Sequence, residues 1–486
     1  MKKSISLIII LSQLCALLAG CQGADTAPET TADTDATEPA TTPETTRDSL
    51  PDDLDFGNQT VTIFAASDLP IVEFEAEQTG DVVDDAIYQR NTTVSERLNV
   101  QLEYIMKPGL WDDQDSYKGA IRGTVLSGDA EYDIVAGYGV FIADLAVEKL
   151  FLDLNSTAYI DFDRKWWSDS LVGNLSLNGK LYFASGDIST NTIGTSFAML
   201  FNKETAEKYK VDDLYSLVDS GKWTLDKLFA ISSEIYSDLN GDGKRGAEDL
   251  YGLVGQETSF DNLYYSCGMN VVVPDKDKGM VVSPDFGSEK MASLVEKLCT
   301  AFNHTDGISW YTENSGDAVK CFKNGNALFM MAGLKVASTS LRDAKFSYGV
   351  LPTPKWDEAQ EKYMSTTSYL GSLYAIPLVV KDADMSSAVI EALAVEGYYT
   401  VAPAFFETAL KIKYTSDDDS ARMYDIIRDS RSYDFGRVYS TGGLSSIPGM
   451  MRGMITGDNP NWMSKYESSI TKFETLLASL VEKLGE

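Results

Sequence analysis

Apolar and polar positions alternate along this chain in two rhythms. Val61-Thr62-Ile63-Phe64-Ala65-Ala66 is a short apolar run that stops at Ser67-Asp68. Behind it, Val83, Ile87, Val94 and Leu98 recur at helical spacing. Val100 to Ile105 alternates as a half-buried strand does. Tyr117, Ile121 and Val125 return to helical spacing, and Tyr132-Asp133-Ile134-Val135-Ala136 is again a buried run. Strand, helix, strand, helix, strand predicts a parallel α/β sheet. Ligands of such sheets sit beyond the carboxyl ends of the strands, which puts Asp68 and Tyr138 on one rim. Gly137-Tyr138-Gly139 lacks the third glycine of a dinucleotide fingerprint.

The stretch from Gly179 to Lys203 changes the picture. Leu181-Tyr182-Phe183-Ala184 and Phe197 to Phe201 read as strands joined by a polar passage of Gly, Ser, Thr and Asn. By residue type alone the passage is either an ordinary hairpin or a crossing between two lobes. Beyond it helices dominate, starting at Thr205 to Tyr209 and at Leu225, where Thr224 is the N-cap. A turn and buried strand are expected over 322–331, and strands over 346–351 and 369–377. Helices are expected near 386–398, 403–411, 420–429 and 462–484. Trp166-Trp167 reads first as core packing, and Trp310-Tyr311 equally as a ligand platform or a half-buried surface pair.

The sharpest motif runs from Asp238 to Asp249. Asp238, Asn240 and Asp242 hold loop positions one, three and five, Gly243 holds six, Lys244 offers its carbonyl at seven, and Asp249 closes the loop. That is the spacing of an EF-hand-type Ca2+ loop with Asp in place of the final Glu. The loop also resembles a single dockerin repeat, although dockerins carry two. A structural calcium is expected; an ordinary Asn-Gly/Asp-Gly surface turn is the alternative.

Composition narrows the function classes. The chain has 486 residues, too many for one core, so at least two lobes are expected. Its formal net charge is -32, which disfavours nucleic acid as a partner. The single histidine, His304, excludes His-His metal motifs. No GxSxG, P-loop or HExxH is present. Cys267, Cys299 and Cys321 form no CxxC and read as buried free thiols.

The N-terminus begins Lys2-Lys3, continues as an apolar run from Ile5 to Leu18, and reaches Leu18-Ala19-Gly20-Cys21. This resembles a bacterial lipoprotein signal, which implies cleavage before Cys21, lipid on its thiol and attachment to the cell membrane. Residues 21–57 are rich in Thr, Pro, Ala and acids and read as a disordered stalk.

Along the body, Asp84 to Tyr88 with Arg97-Leu98-Asn99-Val100, Asp133-Ile134-Val135, Gly179 to Phe183, Leu200-Phe201-Asn202-Lys203, Asn324 to Leu328 and Val350-Leu351-Pro352 follow one another in a telling order. Together they resemble the extracellular solute-binding proteins of ABC importers, the family that includes maltose-binding protein. The resemblance implies a periplasmic-binding-protein-like type II fold: two α/β lobes, a hinge and a ligand cleft. It tips the stretch 179–203 toward an interlobe crossing. It places 1–20 as signal peptide, 58–185 and about 362–402 in lobe 1, and about 190–350 and 403–486 in lobe 2. It implies a monomeric, non-enzymatic receptor that captures a sugar or oligosaccharide for a permease. Asp68, Tyr138, Asp187, Trp310 and Tyr369 are the expected ligand contacts. The alternative is an extracellular glycan-active enzyme with a structural calcium, which needs two carboxylates flanking a bond.

Overall fold

The computed structural model describes residues 47–312, 316–411, 418–440, 444 and 446–485. Cys21 and the expected signal peptide lie outside the described residues. In chain order the strands are β1 (Gln59–Ala66), β2 (Val100–Lys107), β3 (Ile134–Tyr138), β4 (Phe197–Asn202), β5 (Tyr236–Ser237), β6 (Leu250–Gln256), β7 (Val272–Asp275), β8 (Gly279–Val282), β9 (Ile308–Tyr311), β10 (Ala327–Gly333), β11 (Tyr348–Leu351) and β12 (Ser372–Ala375).

The first sheet has the order β12-β3-β1-β2. β1 runs parallel to both β2 and β3, with Ile63 opposite Tyr104 on one side and Ile134 on the other. The connections are helices α1 (Val82–Leu98) and α2 (Gln114–Ser127). Asp81 caps α1 by accepting from the Val83 amide at 3.0 Å, and Asn99 ends it in the left-handed region at φ 48°. The apolar stripes read from the sequence face inward: Val83, Ile87, Val94 and Leu98 on α1, and Tyr117, Ile121 and Val125 on α2 are buried. The second sheet has the order β11-β4-β10-β6-β5, with β9 added on β6. β10, β6 and β9 are parallel, and β4 runs against β10 and β11. β7 and β8 form a separate hairpin.

The chain crosses between the sheets at 184–197 and returns at 351–372. The two passages lie side by side and antiparallel, bridged at Ala184 with Tyr374 and at Ser196 with Thr367. Helix Ala383–Glu396 then packs into the first sheet's core, and a π-helical turn, Gly397–Val401, leads to residues that join the second sheet's core. Gly397 has to be glycine: a Cβ there would lie 2.2 Å from the Asp187 carbonyl oxygen.

Three expectations change. Leu181 to Ala184 is not a strand; apart from the Ala184 bridge it is irregular, because its buried side chains are held by packing. The polar passage after it, read only as a link between two strands, is partly helical and closed to water. Residues 190–195 form a short helix, and Ser189, Thr190, Asn191, Thr192 and Thr195 are all buried. The stalk expected to reach residue 57 ends earlier. Leu50 is buried, Asp48 pairs with Arg97, and Arg47 donates to Glu396 at 2.8 Å, so these residues are fastened to the first lobe. Trp166 and Trp167 are core residues, as read; their indole nitrogens donate to the two carboxylate oxygens of buried Glu391 at 3.0 and 2.9 Å. Cys267, Cys299 and Cys321 are buried free thiols.

Candidate functional site

The parallel strands of both sheets aim their carboxyl ends at the same space. From the first sheet, β3 ends at Tyr138, and the loop after β2 carries Leu110 and Trp111. From the second, β6 ends at Gln256 and Thr258 follows it, while β10 ends at Gly333 and Lys335 follows. These residues line one cavity of about 470 Å³, with Thr195, Phe197, Tyr369 and Arg437 from the crossings and the C-terminal region as its floor. The volume lies in the range of small-molecule sites.

The wall from the first sheet is aromatic. Tyr138 stacks on Phe141 with ring centres 4.6 Å apart, and burial pushes its hydroxyl up to about 12, so it stays protonated. Trp111 stands at the mouth, 58% exposed, with its ring centre 6.0 Å from that of Phe141. The second wall is polar, with Gln256, Thr258 and Lys335. On the floor the Arg437 guanidinium lies 3.8 Å from the Tyr369 ring centre. The Tyr369 hydroxyl donates to Asp261 at 3.3 Å, and Arg452 donates to both oxygens of Asp261, at 3.1 and 2.8 Å. No Asp or Glu is among the described residues that line the cavity.

Of the expected contacts, Tyr138 and Tyr369 are brought together here. Asp68 stands behind the wall and accepts from the Gly109 amide at 2.8 Å, which fixes the loop that presents Trp111. Asp187 is not on the cavity; it is 1% exposed and accepts from Arg431 at 2.6 Å, inside the crossing. Trp310 is not on it either; it packs edge-on against Phe260 at 6.3 Å. Trp111, Gln256, Lys335 and Arg437 were not anticipated. The strand-end rule that found Tyr138 also reaches Trp111, the first aromatic residue beyond the end of β2. Arg437, on the short helix Phe435–Val438, carries no such signal.

The crossing beside the floor is organised by Glu73, itself buried. Its carboxylate accepts from the Ser189 hydroxyl at 2.6 Å, the Thr190 amide at 3.1 Å and hydroxyl at 3.0 Å, and the Tyr374 hydroxyl at 2.9 Å. Buried Arg90 donates to the carbonyls of Glu73 and Ile188. Gly186 lets the chain approach closely, since a Cβ would meet the Trp166 carbonyl oxygen at 2.2 Å.

The loop Asp238–Asp249 lies at the other end of β6, roughly 20 Å from Gln256 at strand rise. Asp238 accepts from the amides of Gly241 and Gly243 at 2.7 and 2.9 Å, and Asn240 from Asp242 at 2.9 Å. Asp242 accepts from Lys244 at 2.7 Å, and fully buried Asp249 from Leu239 and Gly246 at 3.3 and 3.1 Å. Among the described residues no three His, Cys, Asp or Glu side chains gather as a metal site.

Neither a family model nor a curated protein sequence matches the chain. Solved structures do. The chain is similar to the cyclic α-maltosyl-1,6-maltose binding protein of Arthrobacter globiformis, with TM-score 0.59 and 14% identity over 87% of this chain and 100% of that one. It is also similar to the maltose-binding periplasmic protein MalE of Listeria monocytogenes, solved with maltose (TM-score 0.56, 12% identity, 87% and 98% covered). A third is the galacto-N-biose/lacto-N-biose I-binding protein of a Bifidobacterium longum ABC transporter (TM-score 0.53, 15% identity, 89% and 98% covered). The fold is periplasmic-binding-protein-like type II. In this fold the two sheets are the cores of two lobes, and the cavity between their strand ends is the interlobe cleft. Among the described residues no helix is long and apolar enough to cross a membrane.

Proposed function

We propose that the chain is the sugar-binding receptor of an ABC importer, lipid-anchored through Cys21 outside the cell membrane, that captures a saccharide by closure of two lobes and passes it unaltered to a permease. The observation that carries this reading is the cleft, with aromatic faces on one wall and hydrogen-bonding side chains on the other, at the carboxyl ends of both sheets. Aromatic rings cover the apolar faces of a sugar, and amides and hydroxyls meet its hydroxyl groups. Among the described residues no pair of carboxylates lines the cleft, which favours binding over glycoside hydrolysis. Isothermal titration of the full chain against a saccharide panel tests it. Binding of at least one member is expected, with a fall in scattering radius on closure; no binding to any member removes the sugar assignment.

The loop Asp238–Asp249 offers only oxygen donors: Asp238, Asn240, Asp242, the Lys244 carbonyl and Asp249. Oxygen is what calcium requires. A calcium there would fasten the entry to β6 and stay clear of the solute. A chelator is then expected to lower the melting temperature without changing saccharide affinity; an unchanged melting temperature removes the ion.

A further inference from the structure

The cleft of this strongly acidic chain is lined by two cations, Arg437 and Lys335, and by no carboxylate among the described residues. Arg437 is the more telling of the two. It is 6% exposed, yet its side chain makes one hydrogen bond to a defined acceptor, from Nη2 to the Thr367 carbonyl at 2.8 Å, and Nη1 is buried without a partner. Its remaining close neighbours are tyrosines: the Tyr369 ring at 3.8 Å, and Tyr265, whose ring centre is 5.4 Å away and whose hydroxyl also supports the charged guanidinium.

The two carboxylates nearest in effect are held by other groups. Asp261 is gripped on both oxygens by Arg452. Asp434 accepts the backbone amides of Val271, Val272 and Arg437, at 2.7, 3.2 and 2.9 Å. Arg431 also has a buried Nη1 without a partner, so what sets Arg437 apart is the lack of a direct ion pair. Arg431 has Asp187 at 2.6 Å, and Arg90 spends its two terminal nitrogens on the carbonyls of Ile188 and Glu73. Asp261 and Asp434 act on Arg437 through space, but neither forms a direct ion pair with it. A desolvated guanidinium without a carboxylate in contact is costly to hold, and the cost is recovered when a bound anion completes it. A planar fork with an unpartnered nitrogen beside the cavity fits a carboxylate, and the tyrosine beneath it keeps the fork from swinging away.

We propose that the solute is an acidic saccharide, carrying a uronate carboxylate that the cleft floor receives at Arg437, with Lys335 facing it from the second lobe. This rests on the sugar-receptor reading and narrows it to a charge class. A neutral sugar leaves Arg437 uncompensated in the closed cleft, whereas a uronide removes that penalty and gains a charge-assisted hydrogen bond.

Titration calorimetry on the full chain tests it with matched probes: trimers of galacturonic, glucuronic and mannuronic acid, each beside its carboxyl-reduced neutral form, and a sulfated trisaccharide. At least one uronide is expected to bind on the order of 100-fold tighter than its reduced form, with affinity falling as salt is added. Arg437→Gln is expected to erase that preference. Because this variant also loses the bond to Thr367, its melting temperature is read alongside, and Lys335→Gln on the other rim serves as the second variant, expected to weaken the uronide and spare the reduced form. Tight binding of a reduced trimer with no gain from its carboxylate overturns the acidic-sugar inference and leaves the sugar receptor standing. Binding of the sulfated probe alone overturns the carboxylate. Binding of none overturns both readings.

Discussion

Glu73, which holds the crossing, and Arg437 on the cleft floor are both buried and polar, yet they are finished differently, although the crossing too keeps Asp187 Oδ2 and Asn191 Oδ1 without a partner. In the crossing, the Glu73 carboxylate accepts four hydrogen bonds from Ser189, Thr190 and Tyr374. On the floor, Arg437 has one acceptor and an empty Nη1. A polar group that the chain satisfies by itself is holding structure. A polar group left short beside a cavity can be completed by something that arrives, whereas those left short inside the body, such as Ser232 and Tyr424, cannot. On the proposed function, the contrast separates residues that keep the crossing from residues that meet the solute.

The sharpest way to break it is Glu73→Ala, which strands the Ser189, Thr190 and Tyr374 donors in a dry interior. A loss of about 3–5 kcal/mol in urea unfolding is expected. Arg437→Gln, by contrast, loses one buried hydrogen bond, to Thr367, and should cost about 1–2 kcal/mol while changing ligand selection. Equal losses from the two variants would abolish the distinction. Gly186→Ala comes next: its methyl group would press on the Trp166 carbonyl oxygen, and backbone cannot yield as a side chain does, so about 3 kcal/mol is expected in the same assay.

A pH series sharpens the comparison with groups that are satisfied yet strained by burial. Burial pushes Glu391 up to about 7 and Asp434 up to about 6, from ordinary values of 4.5 and 3.8. The folded state therefore holds protons that the unfolded chain releases. Their contribution is complete below the ordinary values and is lost as pH rises through about 6 and then 7. Unfolding free energy is expected to fall by about 4 kcal/mol between pH 5 and 8, and Glu391→Gln to flatten more than half of that slope. A stability that rises over this range contradicts the assignment. The smallest effect is expected at the cleft mouth. Trp111→Ala should leave the melting temperature unchanged and weaken saccharide binding by about 0.5–1.5 kcal/mol, read by calorimetry.

How much of this was legible follows from where each interaction reaches. The first sheet was readable because its strands and helices alternate locally and their apolar stripes have clean periods. Tyr138 and Tyr369 could be placed on the rim because each stands at an end of an expected strand, and both do line the cavity. Asp187 was misassigned to the ligand because its partner, Arg431, stands 244 residues later, a distance no local pattern spans. Trp310 was misassigned because an aromatic pair looks the same on a platform as in a core, and here Phe260 claims it. Arg437 was invisible, since nothing in its short helix distinguishes it from any surface arginine. The run Leu181 to Ala184 misled because bulk apolar content marks burial, and burial does not require a ladder of hydrogen bonds.

The passages between the lobes touch one another: 184–196 is bridged to 367–374 at both ends, and Gly397 seats the third against Asp187. Two bodies joined by a lone cord can spin as well as fold. Bodies laced by three cords laid edge to edge resist torsion and bend across a common line, as a bound book opens along its spine. Entry to the gap is therefore from the side opposite that spine, and a long polymer must present an end or a bend there to be grasped.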